Sequence, residues 1–232
     1  MVRLGASGLL DLWERGRALD PVRRALLLLE TWPEFDPEGW ARLPVGARDA
    51  WLVALRGHLF GPRFETVADC PACGATLETA FSSSDLPVPA PDAPSPGELA
   101  RDGYRLSYRL PTSADLIAVL GEQDAGEAAR RLLARCVEEA SCDGEAVTLD
   151  ALPSDLLADL EREMAERDPA ADIRVGLICQ ACGHRFERRF DILDHLWGEL
   201  EDWAGRLLAE VHVLASAYGW TEDAILALKV GD

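Results

Sequence analysis

Two five-residue stretches decide the fold that we expect, Cys70-Pro71-Ala72-Cys73-Gly74 and Cys179-Gln180-Ala181-Cys182-Gly183. In each stretch, the spacing allows both thiolates to lie on one face of a tight turn, and the glycine can adopt the positive φ that closes the turn. Four thiolates from two such turns are the ligand set of a closed, tetrahedral zinc site. The sequence therefore predicts one structural Zn²⁺ with the ligands Cys70, Cys73, Cys179 and Cys182.

The two stretches belong to an internal repeat in which equivalent residues are 109 positions apart. Further identical pairs lie outside the knuckles: Glu78 and Glu187, Phe81 and Phe190, and Asp85 and Asp194. Strand-like segments flank each knuckle, and those of the second half alternate apolar and polar residues. We therefore expect two β-hairpin knuckles, residues 63–86 and 171–191, that together form a split four-cysteine zinc ribbon.

Other uses of paired cysteines fit this sequence less well. A redox CxxC motif needs only one pair, and structural disulfides are typical of secreted chains. An iron–sulfur cluster can also use four cysteines and stays open as an alternative. His184 is a fifth candidate ligand, although a position outside the ligand shell is commoner for such a residue. Cys136 and Cys142 stand apart from the knuckles, and we expect them to pack as small apolar residues on or near a helix end.

The composition limits the class of protein. The chain has 232 residues, of which 23 are Lys or Arg and 41 are Asp or Glu, so its formal net charge is −18. Such an acidic chain is a poor match for nucleic acid, whose binding relies on Lys and Arg. We find no apolar run long enough to span a bilayer and no secretory signal. We expect a cytoplasmic protein without membrane or nucleic-acid partners or a small-molecule substrate.

Capping signals and periodicity predict an α+β fold that is mostly helical. We expect a helical N-terminal region at 1–62, with helices capped by Ser7 and by Asp20 before Pro21. A proline-rich linker at 87–97 leads to an α/β insert at 98–170 that consists largely of helices. Its expected elements are a strand at 104–110, a helix capped by Thr112, a helix at 126–140 and a helix from Ser154 to Arg167.

The region at 192–232 is expected to form a long helix that Gly219 ends and a short helix that Thr221 caps. Its apolar residues recur at helical spacing, which is typical of core packing or of a helix-on-helix contact. Three aromatic residues of this region are candidates for contacts with a partner protein: Trp203, Tyr218 and Trp220. For Trp220, packing of the last helix against the core is the alternative interpretation.

Several stretches together resemble one family. They are Leu43–Asp49, which leads through Leu52–Arg56 to the first knuckle, Arg109–Leu116, Leu207–His212 and Tyr218–Leu226. The chain is similar in these stretches to the baseplate or baseplate-hub assembly proteins of contractile phages and of phage-like contractile injection systems. The resemblance implies a non-enzymatic role in which the protein assists or joins assembly of the baseplate through contacts with other tail or baseplate proteins. Whether it is incorporated in the assembled particle or leaves it stays open at this point. Of the site residues, it supports only the four cysteines.

Three functional classes follow from these observations. The first is a structural or assembly protein of a contractile tail, since no Ser elbow, P-loop or histidine cluster is present in the sequence. The second is a zinc-ribbon adaptor or nucleic-acid-associated protein, for which Arg185, Arg188 and Arg189 would form a basic strand. The third is a metalloenzyme, which the closed ligand set disfavours because no position is left for a reactive water.

Overall fold

Helices and three small antiparallel sheets make up the chain in the computed structural model, which describes residues 5–33, 36–86 and 96–228. The helices are α1 (Ala6–Gly16), α2 (Pro21–Leu29), α3 (Pro37–Ala41), α4 (Val45–Phe60), α5 (Ser113–Val119), α6 (Ala125–Cys136), α7 (Ser154–Arg167), α8 (Ile192–Tyr218) and α9 (Glu222–Leu226). The strands are β1 (Arg63–Asp69), β2 (Thr76–Ser82), β3 (Gly97–Arg101), β4 (Tyr104–Tyr108), β5 (Val137–Cys142), β6 (Glu145–Ala146), β7 (Arg174–Ile178) and β8 (Arg185–Arg189). The α+β class that we predicted is confirmed.

The chain divides into two units, one formed by Met1–Pro37 with Ile192–Asp232 and the other by Glu38–Asp191. None of the helices in the described part of the chain is long and apolar enough to cross a membrane. The predicted proline-rich linker at 87–97 lies outside the described residues except for its last two positions. The second of these, Gly97, already belongs to β3.

The first unit packs its helices around Trp197 of α8. A Cβ atom on Gly16 would lie 2.4 Å from the Trp197 ring, so α1 approaches closely only because this residue is glycine. The guanidinium of Arg24 on α2 lies 4.2 Å from the centroid of the same ring. As predicted, Asp20 caps α2 by accepting a hydrogen bond from a backbone N–H of its first turn. The predicted cap at Ser7 is wrong, because α1 begins at Ala6 without a side-chain cap.

The long C-terminal helix is confirmed at Ile192–Tyr218. Gly219 ends it with a φ of 70° and donates its backbone N–H to the carbonyl of Ala215 at 2.8 Å. Thr221 then caps α9 by accepting a hydrogen bond from the backbone of Ala224 at 3.3 Å. The local residue types therefore determine where α8 ends and where α9 begins.

The second unit contains a four-stranded antiparallel sheet in the order β3-β4-β5-β6, with α6 and α7 supplying residues to its core. The core residues are Leu106, Tyr108, Leu110, Leu133, Cys136, Leu152, Leu156, Leu160 and Met164. The predicted helix at 126–140 is wrong in its last part, because α6 ends at Cys136 and residues 137–142 form β5. Pairing of β5 with β4 outweighs the helix propensity of Glu138, Glu139 and Ala140.

The two cysteine stretches join the strands of two antiparallel hairpins, β1 with β2 and β7 with β8. The first hairpin follows α4 directly, through a turn at Gly61 and Pro62. The buried guanidinium of Arg56 donates hydrogen bonds to the carbonyls of Gly61 and Arg63, and its carbon lies 4.2 Å above the ring of Phe64. Helix α4 therefore holds the base of the first hairpin in place.

Candidate metal centre

Each knuckle is a tight turn that the backbone closes in the same way. In the first, Gly74 donates its N–H to the carbonyl of Cys70 at 2.8 Å, and Cys70 donates to Ala75 at 2.9 Å. The second knuckle repeats both bonds, from Gly183 to Cys179 at 2.8 Å and from Cys179 to His184 at 2.9 Å. The φ angles of the two glycines are 73° and 74°. The repeat that the sequence predicts is therefore also a repeat of the backbone.

The two hairpins bring their four thiols together in one cluster, which we call the four-cysteine cluster. Its members are Cys70, Cys73, Cys179 and Cys182. All four Sγ atoms lie within 4.8 Å of one another, and the distances from Cys70 to Cys182 and from Cys73 to Cys179 are 3.7 and 3.6 Å. A Zn–S bond of ~2.3 Å places the sulfurs of a tetrahedral site ~3.8 Å apart. A disulfide is excluded because its sulfurs would lie at ~2.05 Å.

The thiols of the four-cysteine cluster differ in acidity. Backbone N–H groups, first that of Cys182, donate to the sulfur of Cys179 and lower the pKa of this thiol to about 7. At Cys73 the backbone N–H of Ala75 lowers the pKa, but hydrogen bonds with the other three thiols raise it to about 12. Metal binding to thiols displaces their protons, and the arrangement of the four thiols is compatible with a metal site.

The other candidate ligands lie outside this cluster. The ring of His184 stacks on that of Phe186, with the centroids 5.9 Å apart. Cys136 is fully buried in the core of the second unit, and burial raises the pKa of its thiol to about 11. The predicted packing role of Cys136 is confirmed, whereas Cys142 lies half-buried at the end of strand β5 rather than near a helix end.

Three aromatic rings join the hairpins at the end opposite the cysteines. Phe64 and Phe81 stack within the first hairpin at 5.2 Å, and Phe190 packs edge-on against both at 5.3 and 5.1 Å. We call this group the phenylalanine base. Phe81 and Phe190 are identical residues at equivalent positions of the repeat, and this identity is the sequence signal for a role that we did not predict. The hairpins therefore approach each other closely at both ends.

Two of the stretches that resemble the baseplate family meet in space. Pro44 pairs with Thr112 in an isolated β-bridge, and Val45 donates its N–H to the carbonyl of Pro111 at 3.0 Å. The guanidinium of Arg48 then reaches the hydroxyl of Ser113 at 3.3 Å. These stretches therefore act together as a structural junction in the second unit.

A buried carboxylate lies at this junction. Asp115 accepts two hydrogen bonds from Arg109, at 2.5 and 2.9 Å, and one from Arg135 at 2.9 Å. It also closes the predicted capping box with Thr112. Burial alone would raise the pKa of Asp115, but the donors of Arg109 and Thr112 lower it to about 2. The carboxylate stays charged at neutral pH and ties β4 to α5 and α6.

Two further acidic side chains lie at the start of α4. Burial raises the pKa of Asp49 to about 6, even though the adjacent guanidinium of Arg48 at 2.7 Å opposes this shift. Asp168, from a distant part of the chain, accepts the backbone N–H of Gly46 at 2.9 Å, and burial raises its pKa as well. A Cβ on Gly46 would overlap the Asp168 carboxylate, so the contact requires glycine here. These groups anchor the helix and belong to no cluster of ligands.

The three candidate partner residues all belong to the first unit. Trp203 is half-buried on α8. Tyr218 and Trp220 are 64% and 45% exposed and stack on one another with centroids 5.1 Å apart. Trp220 is therefore not packed in the core, which was the alternative interpretation of this residue. The stacked pair leaves an aromatic surface open to solvent.

Comparison with known proteins places this arrangement in a family. The family model described as T4 bacteriophage base plate protein matches residues 31–196, which include both knuckles and the junction of the two stretches. No curated protein and no solved structure matches the chain. The match covers more than half of the chain and confirms the resemblance to baseplate proteins. The chain therefore belongs to the T4 bacteriophage base plate protein family.

Proposed function

We propose that this chain is a non-enzymatic structural or assembly component of the baseplate of a contractile tail or injection system. One structural Zn²⁺ ties two distant chain segments together, and the protein works through contacts with other tail proteins. Membership of the base plate family is the observation that carries this proposal. The four-cysteine cluster supports it, since a site closed by protein ligands has a structural role in most proteins.

The geometry of the cluster favours zinc over an iron–sulfur centre. Thiolates are soft ligands, and a tetrahedral set of four sulfurs is typical of Zn²⁺ or iron. In an iron–sulfur cluster the cysteines bind different irons, which spreads the sulfurs more widely than around a single ion. All four sulfurs here lie within 4.8 Å of one another, which suits one ion. With four protein ligands, such an ion has no open position for a reacting water.

The ion acts as a tether between the two halves of the repeat. Cys73 and Cys179 are 106 residues apart in sequence, so coordination closes a long loop that contains the four-stranded sheet. Zinc binding stabilises small zinc-binding peptides by ~10–16 kcal/mol, and this free energy is coupled to folding. The hairpins of the metal-bound protein would therefore present their surfaces to tail partners in a fixed arrangement.

The contact with other tail proteins is proposed for Trp203 and for the aromatic surface of the stacked pair Tyr218 and Trp220. Exposed Tyr and Trp side chains are enriched in protein interfaces because they bury a large apolar area and keep a polar group. The substitution Trp220→Ala should leave the melting temperature of the purified protein nearly unchanged and reduce particle assembly. Full assembly with Trp220→Ala and Tyr218→Ala combined would remove this surface from the proposal.

Complementation of a deletion strain tests the main proposal. Loss of the gene should block formation of intact tails, as seen by electron microscopy, and the wild-type gene should restore them. Cys179→Ser should fail to restore assembly, while Cys142→Ser, a matched exchange outside the four-cysteine cluster, should succeed. Normal particles from the deletion strain would refute the assembly role. Elemental analysis of the purified protein should find one zinc per chain, and iron in its place would refute the choice of metal.

A further inference from the structure

The two hairpins have the same knuckle geometry but carry opposite net charges on their solvent-facing sides. In antiparallel pairs, directly opposed residues share a face. The register therefore places three acidic residues, Glu65, Asp69 and Glu78, on one exposed face of the first hairpin, together with Arg63 and Val67. The equivalent face of the second hairpin carries Arg174, Ile178, Arg185 and Arg189. We call these the acidic face and the basic face.

Part of this difference lies at equivalent positions of the repeat, whereas Glu78 and Glu187 are identical. Glu65 is equivalent to Arg174, and the neutral residues Thr76 and Ala80 are equivalent to Arg185 and Arg189. Even the ion pair at the base of each hairpin is reversed. In the first hairpin Arg63 pairs with Glu65 at 3.3 Å, and in the second Asp172 pairs with Arg174 at 2.8 Å.

Each face also exposes one large apolar side chain. Val67 on the acidic face is 66% exposed, and Ile178 on the basic face is 48% exposed. Charges around an apolar centre are typical of protein interfaces, in which the rim is polar and the middle excludes water. Phosphate-binding surfaces rely on cations and aromatic stacking instead, and the basic face also carries Glu187.

We propose that the acidic face of one copy of this chain docks on the basic face of a second copy. The two faces are built on equivalent hairpins, and their net charges are complementary. The chain has a net charge of −18, so most other orientations of a second copy would bring like charges together. Docking on the basic face avoids this repulsion. This inference concerns the purified chain in solution and is independent of the baseplate role.

Analytical ultracentrifugation of the metal-loaded protein tests the proposal. At ~0.15 M salt the Debye length is ~8 Å. The salt then screens the net repulsion between two copies more than it screens charges in direct contact. We expect concentration-dependent association under these conditions and at least about tenfold weaker association in ~1 M salt, where the Debye length is ~3 Å. A monomer at every concentration would overturn the proposal, and so would binding of DNA by Arg174 and Arg189 in place of self-association.

Paired charge reversals make the test specific. Glu65→Arg with Glu78→Arg gives a chain with two basic faces, and Arg174→Glu with Arg189→Glu gives a chain with two acidic faces. Each variant alone should self-associate at least about tenfold more weakly, because like charges then face each other. An equimolar mixture of the two should recover the wild-type affinity as a mixed assembly. Two well-folded variants that fail to associate when mixed would contradict docking of these faces.

A matched control separates the face from the net charge. Arg130→Glu with Arg206→Glu changes the net charge as much as the two-acidic-face variant does, at exposed positions on α6 and α8. This control should keep the wild-type association. A loss as large as that from Arg174→Glu with Arg189→Glu would show that total charge, and not the basic face, governs association.

Discussion

The two hairpins agree at both ends and differ on their exposed faces. The knuckle hydrogen bonds match within 0.1 Å, at 2.8 and 2.9 Å in both copies. Buried positions also correspond, since Ala68 and Leu177 are equivalent and equally buried. On the outside, Glu65 stands where the second hairpin has Arg174. The knuckles and the buried positions therefore agree between the two hairpins, whereas the solvent-facing positions differ in charge.

The largest expected effect is the loss of stability when one cysteine of the four-cysteine cluster is replaced. It tests whether the two hairpins share one ion. Cys70→Ser and Cys179→Ser should lower the free energy of unfolding by a similar amount, a large part of the ~10–16 kcal/mol that zinc contributes in small peptides. Urea denaturation of both variants measures the loss. A strong chelator should bring the wild-type protein to the same stability. A large effect in one hairpin and none in the other would show that the equivalence of the two knuckles does not extend to a common ion.

The next effect concerns the phenylalanine base. Removal of a buried phenylalanine ring lowers the free energy of unfolding by ~3–5 kcal/mol. We expect a loss of ~3 kcal/mol for Phe190→Ala and a smaller loss for Phe81→Ala, because Phe81 is less buried. Both variants should still bind one equivalent of zinc, because the cysteines lie at the other end of the hairpins. Denaturation curves and metal content measured on the same samples check the prediction. Loss of zinc together with the ring would mean that the two ends are not independent.

A smaller effect compares the two knuckle glycines. No neighbouring atom lies within 4 Å of a Cβ built on Gly74 or Gly183, so only the left-handed backbone opposes a side chain there. Gly74→Ala and Gly183→Ala should each lower the free energy of unfolding by ~1–2 kcal/mol. Gly176→Ala on β7 is the control, since this site is equally open and no positive φ is required. A control that loses as much stability as the knuckle variants would argue against backbone strain as the cause.

Much of this comparison could be predicted because it depends on local residue types. The paired cysteines, the glycine after each pair and the caps at Asp20, Thr112 and Thr221 all act within four or five residues. The offset between the two hairpins is also visible in the sequence. These signals were sufficient for the candidate metal centre and for most helix boundaries.

The features that the sequence did not predict depend on contacts between distant segments of the chain. Strand β5 has no strong strand signal of its own and exists because β4 lies beside it. The phenylalanine base needs both hairpins in place before Phe190 can meet Phe64. The opposite charges of the two faces become visible only when the strand register assigns each residue to a side.

The smallest effect separates stability from association. Glu65→Gln and Arg174→Gln each remove one exposed charge of an ion pair, and such pairs contribute little because water screens them. Each variant should change the free energy of unfolding of the monomer by less than ~0.5 kcal/mol, measured by urea denaturation at high dilution. If the two faces dock on each other, the same substitutions should still weaken self-association measurably at higher protein concentration. A pair of variants that loses monomer stability but keeps its association would mean that these charges serve the hairpins themselves, and the opposite faces would then have no common function.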